Sequence, residues 1–253
     1  MTSAWIEDLT WPEVEARLKA GALVVVPVGA IAKEHGHHLP MKTDWLVARE
    51  LAKRVAAALP VLVSPIVSQG YYPAFTRYPG SQHLSAETFS AVMRELLAKL
   101  IADGARRIAV INTGVSTEEP LQIVVRDLLA STGVRIAVAD IRQLGRAVHA
   151  TGSQKLGGHG DEWETSTILA IEPSLVHMDR AVEDYGHMSS EPKTVFRQPT
   201  RFSGDSAGGP HYSRTGVRGD PTLATAGKGR ALLAEMAREL IEGLVALHPD
   251  LEG

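Results

Sequence analysis

Cysteine is absent from the 253 residues of this chain, which removes disulfide staples, thiolate zinc sites and a cysteine nucleophile together. Histidine, aspartate and glutamate are left as the strong metal ligands. An excess of one charge is lacking as well. The 26 basic and 29 acidic residues leave a formal net charge of −3, with no block of like charges. Neither a nucleic-acid footprint nor a polybasic membrane patch follows, so the expected partners are a small-molecule substrate and other copies of the chain. Long apolar runs are missing too: the longest, residues 22–32, falls far short of the roughly 20 residues that cross a bilayer. The N-terminal MTSAWIEDLTWPEVEARL is mixed polar and acidic rather than basic and then apolar, unlike a secretory signal. A soluble, cytoplasmic protein is expected.

What is present is an alternation of apolar runs and helical patterns. With 44% hydrophobic residues the chain can bury an ordinary core, and one domain over 1–253 is expected. The runs at 23–30, 61–67, 107–114 and 134–141 read as strands. Between them, helical spacing follows Thr43 as a plausible N-cap, then runs over about 86–103 and 121–130. Runs so continuously apolar, alternating with helices, predict an α/β fold with a parallel β-sheet flanked by helices on both faces. A short helix is expected over 161–171 and a C-terminal helix over about 222–247. Between these, the Gly-, Ser- and Pro-rich stretch 203–221 predicts a long loop that covers a site or mediates assembly.

Two patches carry chemistry. EHGHHLPMKTD, residues 34–44, follows the first strand, where ligand-binding loops of parallel sheets lie. Five ligand-type side chains in so short a stretch point to a metal site; a solvated loop is the plainer alternative. GGHGDEWETS, residues 157–166, is the second. On a helical first turn His159 and Glu162 would share a face, the spacing used by helix-borne metal sites, with Glu164 off that stripe. Dipole preference alone accounts for Asp161, Glu162 and Glu164, but not for His159. Two divalent ions bridged by a carboxylate would polarise a carbonyl and acidify a bound water.

PVGAIAKEHGHHLPMKTD, YPGSQHLS, GARRIAVINTG, HGDEWETS and GDPTLAT resemble, in that order, the landmark segments of the creatininase (creatinine amidohydrolase) family. The resemblance implies a creatininase-like fold, a binuclear zinc or manganese centre with two ions per chain, hydrolysis of a cyclic or linear amide C–N bond, and frequently a hexameric homo-oligomer. By that resemblance Glu34 is the first glutamate ligand, His35 the first histidine ligand and Asp44 the bridging aspartate. His159 matches a proton donor near the substrate, Glu162 could supply a metal carboxylate, and Glu164 matches the glutamate of the ETS segment and is a candidate catalytic group.

Two departures stand out. The family has glutamate, one spacer and then histidine, whereas Glu34 and His35 are adjacent here, with one residue added before them. The third strand ends in Asn112-Thr113-Gly114-Val115-Ser116-Thr117 in place of the family's Asn-Gly-His, so one histidine ligand is missing. His83 is the candidate to replace it, or it is a helix-entry or pocket residue; His159 is the other candidate. Tyr71, Tyr72, Phe75 and Arg77 could shape the substrate pocket, Arg77 meeting an anionic group, or the tyrosines could simply pack their loop. His37 and His38 read as groups beside the ligands or on the substrate side. A ring-opening hydrolase of a cyclic keto-sugar or cyclitol, and a non-catalytic metal- or ligand-binding member, are the competing readings.

Overall fold

The strand β1, Leu23–Val28, is an inner strand of the sheet, and every one of its residues is buried. It pairs in parallel with β2, Val61–Val63, on one side and with β3, Arg107–Asn112, on the other; β4, Ile136–Asp140, adds to β3. The computed structural model describes residues 3–186, 195, 201–207 and 212–252. Alternation along β1 feeds two cores. Val24, Val26 and Val28 face α1 (Trp11–Lys19), α3 (Ala86–Ala102) and α4 (Glu118–Thr132), where Phe89, Met93, Leu121 and Val124 are fully buried. Leu23 and Val25 face α2 (Thr43–Ala58), α6 (Glu162–Ile171) and α7 (Ala226–Leu247). Each such side chain contributes about 1.5–3 kcal/mol of burial, so a run of valines buried on both faces makes β1 the strand on which the fold rests.

The elements differ in their limits from the sequence expectation for physical reasons. Thr43 is not a cap: it is the first residue of α2, and its Oγ1 donates to the Pro40 carbonyl at 2.7 Å. β2 stops at Val63 because Pro65 brings no N–H to the ladder, and pairing resumes only as an isolated bridge of Val67 with Val28. α4 starts earlier than expected, at Glu118, since Pro120 sits in the first turn where its missing N–H costs nothing. α7 starts later, at Ala226, with Thr225 accepting from the Lys228 N–H; Pro221–Leu223 forms a separate turn. A short helix α5, Arg146–His149, lies between β4 and α6.

Two features place the site. α7 crosses close on α6, since a Cβ at Gly229 would collide with the Ser166 carbonyl, while Ser166 Oγ accepts from Thr225 N at 3.0 Å. The second is the expected loop 203–221, of which 208–211 lie outside the described residues. Its described part folds inward: Asp184 accepts from the Thr215 and Ser213 hydroxyls at 2.7 and 3.1 Å, and Arg218 pairs its backbone with His159.

Candidate active site

β1 ends at Val28 and the chain turns across the carboxyl ends of the strands, bringing Lys33, Glu34 and His35 under cover. His35 is fully buried, its Nδ1 2.9 Å from the Lys33 carbonyl and its Nε2 2.9 Å from Asp44 Oδ1. Asp44 reaches it from the first turn of α2. The other oxygen of that carboxylate, Oδ2, faces the Lys33 ammonium at 2.7 Å, with side-chain exposures of 8% for Lys33 and 5% for Asp44. Phe75 lies below, its ring centroid 5.3 Å from Lys33 Nζ and 4.0 Å from the His159 ring.

His159 arrives from the opposite side. Its backbone bridge to Arg218 fixes the ring so that Nε2 meets Glu34 Oε2 at 3.0 Å, while Nδ1 points toward Glu164 Oε2 at 3.8 Å. Glu34 is held on its other side by the Gly36 N–H. It also packs against Gly216, which has φ +79° and no room for a Cβ. Asp161 caps α6 by accepting from Trp163 N and Glu164 N at 2.9 and 3.0 Å, and this sets the direction in which Glu164 leaves the helix.

The charges interlock. Burial alone would lower the Lys33 pKa, but Asp44, then Glu164 and Glu34, outweigh it and the net shift is upward. Burial would raise Asp44; Lys33 and His35 hold it well below the usual carboxylate range. His159 is pushed down by burial and more strongly up by Glu34 and Glu164, so it rises. Glu34 is lowered because His159 and the Gly36 N–H outweigh its burial. His38 differs: buried, with Nε2 2.7 Å from Thr165 Oγ1 and no hydrogen-bond partner for Nδ1, it is lowered to about 4, mainly by burial.

A cavity of about 270 Å³ opens above these groups, lined by Lys33, Asp44, Tyr71, Tyr72, His159 and Glu164 among others. Tyr72 donates to the Ala32 carbonyl at 3.1 Å, and burial raises its phenol to about 12, so it is a neutral wall. The third-strand loop also faces the cavity with Gly114, Val115, Ser116 and Thr117. Asn112 is spent within that loop, on Gly114 and Thr117.

The structure thus brings together His35, Asp44, Glu34, His159 and Glu164. It sets three expected residues apart. Glu162 is fully buried, but on the far side of α6, where it takes the Lys228 ammonium and the backbone N–H groups of Ser153 and Gln154. The His159/Glu162 stripe fails because the helix begins only at Glu162; His159 precedes it in an extended bridge and Gly160 turns at φ +57°. His83 is exposed, its ring about 6 Å from those of Tyr71 and Tyr72 and outside the histidine cluster. Arg77 is exposed as well and does not line the cavity. Sequence reasoning missed Lys33. Counting the family's glutamate–spacer–histidine spacing back from His35 lands on this lysine, a signal available in the sequence.

The donor set fits one divalent ion. His35, His159 and Glu164 offer ligand atoms within 4.8 Å of one another. His35 Nδ1 is fixed by the Lys33 carbonyl and His159 Nε2 by Glu34, the arrangement that orients metal-binding imidazoles. The second nitrogen of His159, Nδ1, faces Glu164, and that of His35, Nε2, meets Asp44 Oδ1, a contact that an ion on this nitrogen would replace. Two ions do not fit as readily: Asp44, expected to bridge them, already carries Lys33.

A buried cluster of histidines and carboxylates lies under a cleft at the carboxyl ends of a parallel sheet, the place where α/β proteins bind their ligands. The family description "Creatininase: Creatinine amidohydrolase" matches residues 7–244, and the chain belongs to this family. It is 29% identical over 214 residues to "Creatinine amidohydrolase" of Pseudomonas putida, covering 77% of this chain and 81% of that one. Against "Mycofactocin precursor peptide peptidase" of Mycobacterium ulcerans the identity is 27%, over 96% and 89% of the two chains. Against "3-dehydro-scyllo-inosose hydrolase" of Thermotoga maritima it is 26%, over 96% and 81%. The solved structure "Creatininase Mn" superposes with a TM-score of 0.81 at 27% identity, covering 98% and 99%. No helix among the described residues is long and apolar enough to cross a membrane.

Proposed function

We propose that this protein is a metal-dependent amidohydrolase that cleaves a carbonyl C–N bond of a small polar molecule in the cavity above His35 and His159. The observation that carries this is the cluster of His35, His159 and Glu164, whose ligand atoms lie within 4.8 Å of one another, with His35 Nδ1 and His159 Nε2 each held by a partner. Amide cleavage is favoured because two of the relatives are named for it, an amidohydrolase and a peptidase.

His35, His159 and Glu164 would hold the ion, and a divalent ion there supplies Lewis-acid polarisation of a carbonyl and a more acidic water. The chain's own groups do the rest. Glu34 keeps His159 in one orientation, and Glu34 in turn is trapped between the Gly36 N–H and Gly216. Glu164 would use one carboxylate oxygen for the ion and the other to take the proton of the attacking water and return it to the leaving nitrogen, because its side chain is 33% exposed where Glu34 is 8% and Asp44 5%. Under this reading His159 is an ion ligand and not the free acid that the resemblance implied. Tyr71 and Tyr72 close one wall against water. Self-association belongs to the same proposal, and a light-scattering mass of a single chain at micromolar concentration would exclude it.

The test is a panel of amides (a lactam ring, N-formyl amines and short peptides) assayed for amine release by protein reconstituted with Mn²⁺ or Zn²⁺. Hydrolysis of at least one class, abolished by a chelator and reduced about 100-fold or more in Glu164→Gln, is expected. Hydrolysis unaffected by the chelator would refute it.

A further inference from the structure

We propose that the Lys33 ammonium is a built-in cation of this centre, occupying the Asp44 oxygen that a second divalent ion would need, so that the site takes one ion and not two. The inference rests on the reading of the pocket as an ion site and specifies its composition.

Three observations converge. Asp44 has at most one oxygen to give an ion: Oδ1 meets His35 Nε2 at 2.9 Å and is released only when an ion takes that nitrogen, while Oδ2 meets Lys33 Nζ at 2.7 Å and stays occupied. Oδ2 makes no hydrogen bond of good geometry, so its only close partner among the described residues is the lysine's charge. Lys33 is also trapped there, with its backbone N–H on the Met41 carbonyl at 3.0 Å, its side chain 8% exposed and its ammonium over the Phe75 ring. Swinging it away to admit a divalent ion would bury a cation without a counter-charge or require the loop to open.

Charge count gives the second argument. Glu34, Asp44, Asp161 and Glu164 bring four negative charges to the cluster and Lys33 and Arg218 return two positive, which leaves two for a divalent ion to balance. A second divalent ion would overshoot by two positive charges in a largely buried space. The third argument is the shortage of ligands. The third-strand loop faces the cavity with Gly114, Val115, Ser116 and Thr117, none of them a histidine or carboxylate. Of the other nearby acids, Asp161 is taken up by Trp163 N, Glu164 N, Gly158 N and Gln154, and Glu162 is committed to Lys228.

Lys33 therefore does for Asp44 what an ion would do, without exchange or loss. Its ammonium also faces the cavity with hydrogen-bond donors, so an anionic or carbonyl oxygen of the substrate is the chemistry it would meet.

The experiment equilibrates the whole protein with excess Mn²⁺ or Zn²⁺, removes free ion, and counts bound ion by elemental mass spectrometry. Wild type is expected to retain about one ion per chain and Lys33→Glu about two, with a larger metal-induced rise in melting temperature for the variant. Lys33→Gln, which keeps the length without the charge, is read the same way should Lys33→Glu fold only with metal. Two ions in wild type, or no gain in either folded variant, overturn the proposal. No ion in wild type with a gain in Lys33→Glu supports Lys33 as the excluding cation and refutes the ion-dependent function instead, so the two failures are distinguishable.

Discussion

Two lysine–carboxylate pairs, one buried and one with a half-buried lysine, do different things in this molecule. Lys228 and Glu162 meet at 2.5 Å, and almost everything else around them is backbone: Glu162 accepts from Ser153 N and Gln154 N at 2.9 and 2.8 Å, and Lys228 donates to the Leu223 carbonyl at 2.8 Å. That pair is a clamp, tying the segment before α6 and the start of α7 to one side of α6. Lys33 and Asp44 have side chains as neighbours instead, namely His35, Glu34, Glu164 and the His159–Phe75 stack, and a cavity opens over them. The chemistry of the pairs is the same. What separates a structural ion pair from one in a functional centre is whether backbone satisfies it or titratable side chains and open space surround it.

The comparison breaks most readily at Asp44. Asp44→Asn leaves the Lys33 ammonium buried beside a neutral amide, so unfolding by urea should show a loss of about 3–5 kcal/mol, together with loss of bound ion. Retention of both stability and ion would place Lys33–Asp44 in the clamp's category. Next in size is a pH effect from His38, which sits beside the centre. In the folded chain it resists protonation until about pH 4, whereas the unfolded chain takes up the proton near its ordinary value of about 6.5. Stability is therefore lost as pH falls between those limits, by about 3 kcal/mol, and His38→Gln should flatten that part of a melting-temperature profile.

Glu162→Gln tests the clamp. A loss of about 2 kcal/mol is expected, below the Asp44 effect because the Lys228 side chain is 29% exposed and partly screened. Ion count and KM should not move, and a change in either would bring Glu162 back among the ligands. The smallest expected effect is that of Gly216→Ala. A Cβ there strikes the Glu34 carboxylate from a backbone at φ +79°, costing about 1–2 kcal/mol. Because Glu34 orients His159, the variant should lower kcat more than its stability loss explains, while leaving the Glu162–Lys228 pair untouched.

Much of the architecture was legible in the sequence because it follows from local rules. The valine run of β1 reads as a strand covered on both faces whose loop emerges at the carboxyl end of the sheet, and that is where His35 and Asp44 lie. The α6 carboxylates were not legible in the same way. The choice between Glu162 and Glu164 depends on where the helix starts, and Asp161 as the cap with Gly160 at positive φ decides it; both are backbone events that side-chain spacing does not encode. His83 was misplaced for a related reason: lying after the second strand puts a residue near the right end of the sheet but says nothing of the face, and it ended exposed beside Tyr71. Lys33 was overlooked because counting metal-capable groups ignores cations. A lone lysine closing the apolar stretch before Glu34 was nonetheless the sign that one charge at the centre comes from the chain itself.

The central claim is that one ion sits among His35, His159 and Glu164, with Lys33 holding Asp44. Anomalous scattering from crystals soaked in Mn²⁺ or Zn²⁺ tests it most directly. One peak inside that triangle, with the Lys33–Asp44 contact intact, is the expected result. Two peaks sharing Asp44, with Lys33 displaced, would contradict it.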